Sequence, residues 1–187
     1  MTSARYRLAW CQRDLRHDHS CPRVVSTAMP SDPTSGDDRV VRALRAADFH
    51  AARAVADAWM GRPVGLVMHR LFFDQLGPSG VWIEAGGAPL GFLLGLASES
   101  EPDLAYIHFH AVDPTRRRAG VGSDLYRAFG DRMAARGRTR VRALAPMWNM
   151  TSRAFHERLG FVGHAHEGYV GPGEDRIVYE RSLPIPT

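Results

Sequence analysis

The chain has 187 residues, 44% hydrophobic and 24% charged, with a formal net charge of +4, which suits one soluble domain with its own core. No run approaches the roughly 20 apolar residues of a membrane span and no apolar stretch of a secretory signal opens the chain, so a cytoplasmic protein with no membrane partner is expected. All 24 basic residues are arginine; without lysine there is no Walker-type phosphate lysine, no Schiff base and no lysine general base.

Residues 1–36 are rich in Arg, Ser, Asp and Pro and show no periodicity, so they are expected to be a disordered extension ahead of a folded domain over residues 37–187. Met29 opens a segment that would itself make sense as a protein start, and residues 1–28 read as an upstream extension. Cys11 and Cys21, with His17 and His19 between them, lack the ligand spacing of known zinc sites, and no metal is expected.

From residue 39 the pattern is regular. "RVVRAL" (39–44) predicts a strand, followed by a helix that Asp48 N-caps and Gly61 and Pro63 end, with Ala52, Val55, Ala56 and Trp59 on its apolar stripe. "GLVMHRLFFDQLG" (65–77) predicts a second helix, with Leu66, His69, Phe72 or Phe73, and Leu76 on its apolar side. A hairpin follows, strand 81–85, a Gly86–Gly87 turn and strand 89–97. Its second arm is almost continuously apolar, as suits a central strand covered on both faces. Strand 104–112, a helix from about 121 to Gly137 with Val121, Leu125, Ala128 or Phe129, and Arg132 or Met133 inward, strand 140–146, a short helix ending at Gly160, and strands near 161–166 and 176–183 complete the order.

The stretch "TRRRAGVGSDL" (115–125) carries the strongest chemical signal. A strand ends in "VDP", and a tight turn with Gly120 and Gly122 opens a helix. That arrangement aims free backbone N–H groups, with the positive end of the helix dipole, at an anion such as a phosphate. Glycine lets the backbone approach the ligand, and Arg116, Arg117 and Arg118 offer charge-assisted bonds. A dinucleotide fingerprint would need glycine at position 125, which is leucine, and a P-loop would need lysine. The 20 acidic residues are interspersed with the arginines, which argues against a nucleic-acid partner.

What remains is Arg117-x-x-Gly120-x-Gly122, followed after one strand by "NMTSRAFHERLGF", in which Asn149, Ser152, Phe155, Gly160 and Phe161 recur at fixed spacing. Asn149, Ser152 and His156 lie three and four apart on one helix face. Together, and in this order, the two motifs and the element order over residues 39–183 resemble the GCN5-related N-acetyltransferase (GNAT) superfamily.

The resemblance implies an α/β fold: a mixed, mostly antiparallel twisted sheet of six to seven strands, flanked by about four helices and splayed between strands 104–112 and 140–146. It implies acetyl-CoA as co-substrate, its pyrophosphate in the turn formed by Arg117, Arg118, Ala119, Gly120, Val121, Gly122 and Ser123. The pantetheine arm would pair with backbone near Ala111 and Val112 and be oriented by Asn149 and Ser152. It further implies that an amine of a small molecule or peptide attacks the thioester directly. The oxyanion would be held by an amide at Ala111 or Val112. No cysteine lies within residues 37–187 to form a covalent intermediate. Dimers are common in the family, so a homodimer is an expectation too. A CoA-binding module without catalysis is the alternative.

Where many relatives have a tyrosine that protonates the leaving thiolate, this chain has His156, a general acid or a packing residue. Strand alternation places Tyr106, His108 and His110 on one face of the 104–112 strand. Relatives often have a carboxylate base at the position of Tyr106; a phenol is a poor base at neutral pH, so His108 or His110 is the candidate, or both are structural. Trp59, His69, Phe72, Phe73 and Trp82 are candidate acceptor contacts or core. Asp57, Asp74, Glu84 and the loop "SESEPD" (98–103) are the carboxylates available to attract an amine, or simply solvated.

Overall fold

The computed structural model describes residues 38–65 and 67–186; the expected extension and the Cys11–Cys21 segment lie outside the described residues. Seven strands form one sheet: β1 (Arg39–Ala43), β2 (Val81–Ala85), β3 (Ala88–Ala97), β4 (Leu104–Val112), β5 (Arg140–Pro146), β6 (Val162–His166) and β7 (Arg176–Ser182). Their spatial order is β1-β2-β3-β4-β5-β7-β6. β4 and β5 are parallel and every other neighbouring pair is antiparallel. The helices are α1 (Phe49–Met60), α2 (Arg70–Leu76), α3 (Val121–Ala134) and α4 (Met150–Arg158).

Two apolar layers sandwich the sheet. On one side Val121, Leu125, Phe129 and Met133 of α3 pack with Ile83, Leu93, Ile107, Val141, Ala143 and Tyr179. On the other, Ala52 and Ala56 of α1 and Phe73 of α2 pack with Trp82, Phe92, Leu94, Phe109 and Ala111. β3 is buried from Leu90 through Gly95, as its continuous apolar run predicts. Its glycines set the height of α3 above it. A Cβ at Gly91 would come 2.9 Å from Val121 Cγ1, and one at Gly95 would enter the Phe129 ring.

β4 is where the sheet becomes irregular. Leu94 pairs with Phe109 but Gly95 pairs with Ile107, so His108 has no counterpart on β3. This bulge adds one residue and turns the strand. It overturns the expected alternation: Ala105 and Ile107 join the α3 layer, whereas Phe109 and Ala111 join the α1–α2 layer. β4 pairs with β5 only from Leu104 to Ile107 against Arg140 to Ala143. Beyond that the strands part, and the rest of β5 bonds only to β7.

Two local expectations are corrected. The helix expected over 65–77 is helical only from Arg70; His69 caps it by accepting from Leu71 N at 3.1 Å through Nδ1. Val67 and Met68 instead turn back onto the Val64 carbonyl. Asp48 precedes α1 but does not cap it: its carboxylate accepts from Arg45 N (2.7 Å) and both terminal nitrogens of Arg42.

The Gly95–Phe129 contact gives a first prediction. Gly95→Ala should lower stability by about 1–3 kcal/mol, the usual cost of overpacking. Denaturant unfolding measures it, and an unchanged midpoint would show that α3 is free to lift.

Candidate active site

The turn that precedes α3 gathers free backbone amides. A 3-10 turn (Pro114–Arg116), held by Asp113 accepting from Thr115 N, leads into two left-handed residues, Arg118 (φ 66°) and Gly120 (φ 84°). Such alternation gathers successive N–H groups into a concave nest. Asp124 N bonds to Gly120 O, and no side chain caps the helix. The amides of Val121, Gly122 and Ser123 therefore lack an intrahelical acceptor, as the first turn of any helix does. Gly122 is constrained by space: a Cβ there would lie 3.1 Å from the Phe155 ring. Gly120 has room for one, so its φ is what demands glycine.

Arg116, Arg117, Arg118 and Ala119 are exposed around this nest. Arg117 donates to the Trp59 carbonyl at the end of α1 (3.2 Å). One contributor was not read from the sequence: Arg39 on β1, whose guanidinium pairs with Asp124 (3.2 Å) and lies 3.9 Å from a Cβ placed on Gly120. Arg127 also pairs with Asp124, so the one acid in the first turn of α3 is neutralised beside the nest. A β1 arginine has no sequence signature, because only the sheet order brings it there.

The parting strands expose backbone. Asp113 N bonds to Leu90 O (2.9 Å); alternation back along the antiparallel ladder turns the groups of Ala111 and Phe109 to β3 and those of Val112 and His110 toward the gap. Of the two expected backbone positions, Val112 thus faces the gap, while Ala111 is held by β3 and is buried. Asn149 caps α4, its side-chain carbonyl accepting from Ser152 N (3.0 Å), which leaves its NH₂ unused among these contacts.

The bulge divides the three candidate catalytic residues of β4 between the two faces. Tyr106 and His108 point to the α1–α2 side, ring centres 6.3 Å apart, with His108 packed on Phe72 at 4.7 Å. His108 Nε2 donates to the Val67 carbonyl (3.1 Å), which leaves Nδ1 with the lone pair. Burial pushes the Tyr106 hydroxyl above its ordinary pKa. His110 points to the α3–α4 side, where it stacks on Phe155 and meets Tyr126 edge-on. There it joins His156, which is only 1% exposed and stacked on Tyr179 at 4.3 Å.

Both nitrogens of His156 are engaged. Nδ1 lies 2.8 Å from the Ser152 carbonyl and 3.3 Å from its hydroxyl, and Nε2 lies 3.0 Å from the Tyr126 hydroxyl. That hydroxyl also lies 3.2 Å from His110 Nδ1. Ser152 is thus turned inward to His156. Burial pushes His110 down to about 3 and lowers His156, so both are neutral; burial also raises Tyr126. Tyr126 was not read from the sequence, because beside Leu125 it looks like the broad edge of an apolar stripe.

On the α1–α2 side, no described helix covers β5, β7 and β6. A cavity of about 300 Å³ lies there, lined by Arg142, His164, His166, Tyr169, Val178 and Glu180. A second, about 450 Å³, lies among Arg62, Met147, Trp148 and the 173–176 turn. Trp82 and Phe73 are core, 2% and 1% exposed, and Trp59 packs against Phe92. The expected acidic attractors are engaged: Asp57 with Arg53 and Val64 N, Asp74 with Arg70, and Glu84 with Arg42 and the Trp82 indole. Glu101 and Asp103 pair with Arg140, and Glu101 also with Arg142; these arginines hold both carboxyls below their ordinary pKa. Among the described residues, no group of three or more His, Cys, Asp or Glu side chains is arranged for a metal ion. No described helix is long and apolar enough to cross a membrane.

The model of the Acetyltransferase (GNAT) family matches residues 39–161, and the chain belongs to that family. Solved structures share the fold. Ard1 from Thermoplasma volcanium superposes with a TM-score of 0.68 at 22% identity, over 79% of this chain and 99% of its own. The ribosomal-protein-S18-alanine N-acetyltransferase from Escherichia coli gives 0.66 at 20%, over 80% and 96%. The Salmonella typhimurium acetyltransferase yncA, solved with acetyl-CoA, gives 0.63 at 16%, over 81% and 97%. No curated protein matches this sequence.

Two neutral imidazoles, His156 buried and His110 half-buried, predict acid sensitivity. Each has a depressed pKa in the fold and the ordinary value near 6.5 when unfolded, so only the unfolded state gains a proton between those values. Stability is complete above about pH 6.5 and falls below it by up to about 1.4 kcal/mol per pH unit per histidine. Denaturant midpoints at pH 7.5, 6 and 5 should decline; a flat series would mean charged imidazoles in the fold.

Proposed function

We propose that this protein is an acetyl-CoA-dependent N-acetyltransferase for a primary amine. The observation that carries this reading is the parting of β4 from β5 directly beside the nest at the start of α3. It leaves backbone groups of His110 and Val112 unpaired in a gap that ends at an anion-binding turn.

Acetyl-CoA supplies the activated acetyl thioester. The amides of Val121, Gly122 and Ser123, with Arg117, Arg118 and Arg39, are arranged for its pyrophosphate. The NH₂ of Asn149 and the Val112 backbone are arranged for the pantetheine amides, and an amide facing the gap offers an oxyanion donor. The amine approaches from the α1–α2 side, where Tyr106, His108 and the cavity lined by Arg142, Tyr169 and Glu180 lie. One imidazole nitrogen is free on each face of β4, His108 Nδ1 and His110 Nε2, as a proton acceptor for the attacking amine. Attack is direct: the described residues include no cysteine to form an acyl-enzyme.

A second reading, an acyl-CoA-binding module without turnover, is favoured by one observation: His156, at the position of the family tyrosine, has both nitrogens engaged inside the protein. CoA release from acetyl-CoA measured across a panel of small amines and N-terminal peptides decides between them. Turnover with at least one amine is expected; heat stabilisation by CoA with no release across the panel leaves the binding module. Gly120→Glu should abolish the stabilisation by CoA, because it puts a side chain at φ 84° and a negative charge into the nest. Undiminished stabilisation would remove the turn from the site.

A further inference from the structure

With both imidazoles and the phenol neutral, the contacts among His110, Tyr126, His156 and Ser152 have a single consistent proton assignment. The Ser152 carbonyl only accepts, so at 2.8 Å His156 Nδ1 must carry the hydrogen. A neutral His156 then presents the Nε2 lone pair, and the Tyr126 hydroxyl donates to it at 3.0 Å. Tyr126 has spent its one proton there, so at 3.2 Å its oxygen accepts from His110 Nδ1–H. The lone pair of His110 therefore sits on Nε2. Among the described residues the buried side-chain polar atoms without a partner are Arg138 Nε and Tyr179 Oη. His110 Nε2, for which the described residues offer no partner, is not one of these atoms, in keeping with the half-buried state of His110.

We propose that Tyr126 is a positioning residue for acetyl transfer: backed by His156, its hydroxyl fixes His110 as the Nδ1–H tautomer, so that Nε2 is the nitrogen that handles protons at the parting of β4 and β5. The inference rests on the acetyltransferase reading and names its proton carrier. As the amine nitrogen bonds to the acetyl carbon, one amine proton passes to His110 Nε2. As the carbon–sulfur bond breaks, the same proton passes to the departing thiolate, giving CoA–SH and the N-acetyl product with His110 neutral again. While His110 is cationic, its Nδ1–H is held by the Tyr126 oxygen, whose own proton polarises toward His156 Nε2.

The fold constrains this arrangement from every side. The ionisable groups facing His110 are Tyr126 from α3 and His156 from α4; Tyr179 from β7 stacks on His156. None carries a negative charge at neutral pH, so an imidazolium there is held only by the Tyr126 oxygen and exists only while the proton is in transit from amine to thiolate. This explains why His156 stands where relatives have a tyrosine: it acts behind His110 rather than on the sulfur. His108, tethered to Val67 and packed on Phe72, is left as part of the wall on the acceptor side.

Tyr126→Phe keeps the ring and removes the hydroxyl. With an amine that the wild type acetylates, the variant should keep its stabilisation by CoA and its KM for acetyl-CoA and lose at least about tenfold in kcat. Long-range ¹H–¹⁵N spectra of the histidine side chains should show His110 and His156 of the wild type protonated at Nδ1 alone at pH 7.5, and His110 of the variant as a mixture of tautomers. Wild-type His110 protonated at Nε2, or a variant with kcat within twofold of wild type, overturns the proposal. The wild-type spectra decide the tautomer even if the variant does not fold. A wild type that releases no CoA with any amine defeats the acetyltransferase reading instead, and the role of Tyr126 falls with it.

Discussion

The site depends on the fact that β4 and β5 stay together for only four residue pairs. Sheet strands normally satisfy every backbone group on both sides, and here a central strand abandons one side in mid-sheet. Two features make this stable. The bulge at His108 adds twist that carries β4 away, and rings from β4, α3, α4 and β7, with Phe161, fill the space on the α3–α4 side: His110 against Phe155, and Tyr126 and Phe161 around His156, which lies flat on Tyr179. Stacked and edge-on pairs of this kind contribute about 0.5–1.5 kcal/mol each beyond their buried area. The wedge holds the gap open at its floor.

The closed end of the same gap is held by charge. Arg140 reaches Glu101, Asp103 and Glu180, and Arg142 reaches Glu101 and Glu180. Each guanidinium bridges carboxylates from the 98–103 loop and from β7, so β5 is tied to both neighbours just where β4 and β5 are still paired. The planar fork of arginine suits it to such bridging in a way the point charge of lysine does not. A chain whose basic residues are all arginine is well supplied with these clamps, and Arg42 between Asp48 and Glu84 is another at the far edge of the sheet.

Much of this was legible. The spacing of Arg117, Gly120 and Gly122 and the Asn149–Ser152–Phe155 pattern place the turn, α3 and α4, and the apolar run of residues 89–97 identifies a central strand. Side-chain direction on β4 was not legible, because an alternating sequence fits a regular strand as well as a bulged one; the bulge is set by pairing with β3. The expected helix over 65–77 failed for a related reason: Val67 and Met68 turn back onto Val64, which places the Val67 carbonyl against His108, a tertiary contact with no local signal. The acidic loop at 98–103 read equally as a lure for amines or as a solvated turn, and its arginine partners lie some 40 residues away along the chain.

The all-arginine composition bears on chemical self-protection. Guanidinium groups stay protonated at any physiological pH and so lack a nucleophilic nitrogen. A lysine, by contrast, can present a neutral primary amine to any acyl thioester that meets it. With arginine in place of lysine throughout the sequence, the chain carries its positive charge without a side-chain amine that an acyl donor could modify.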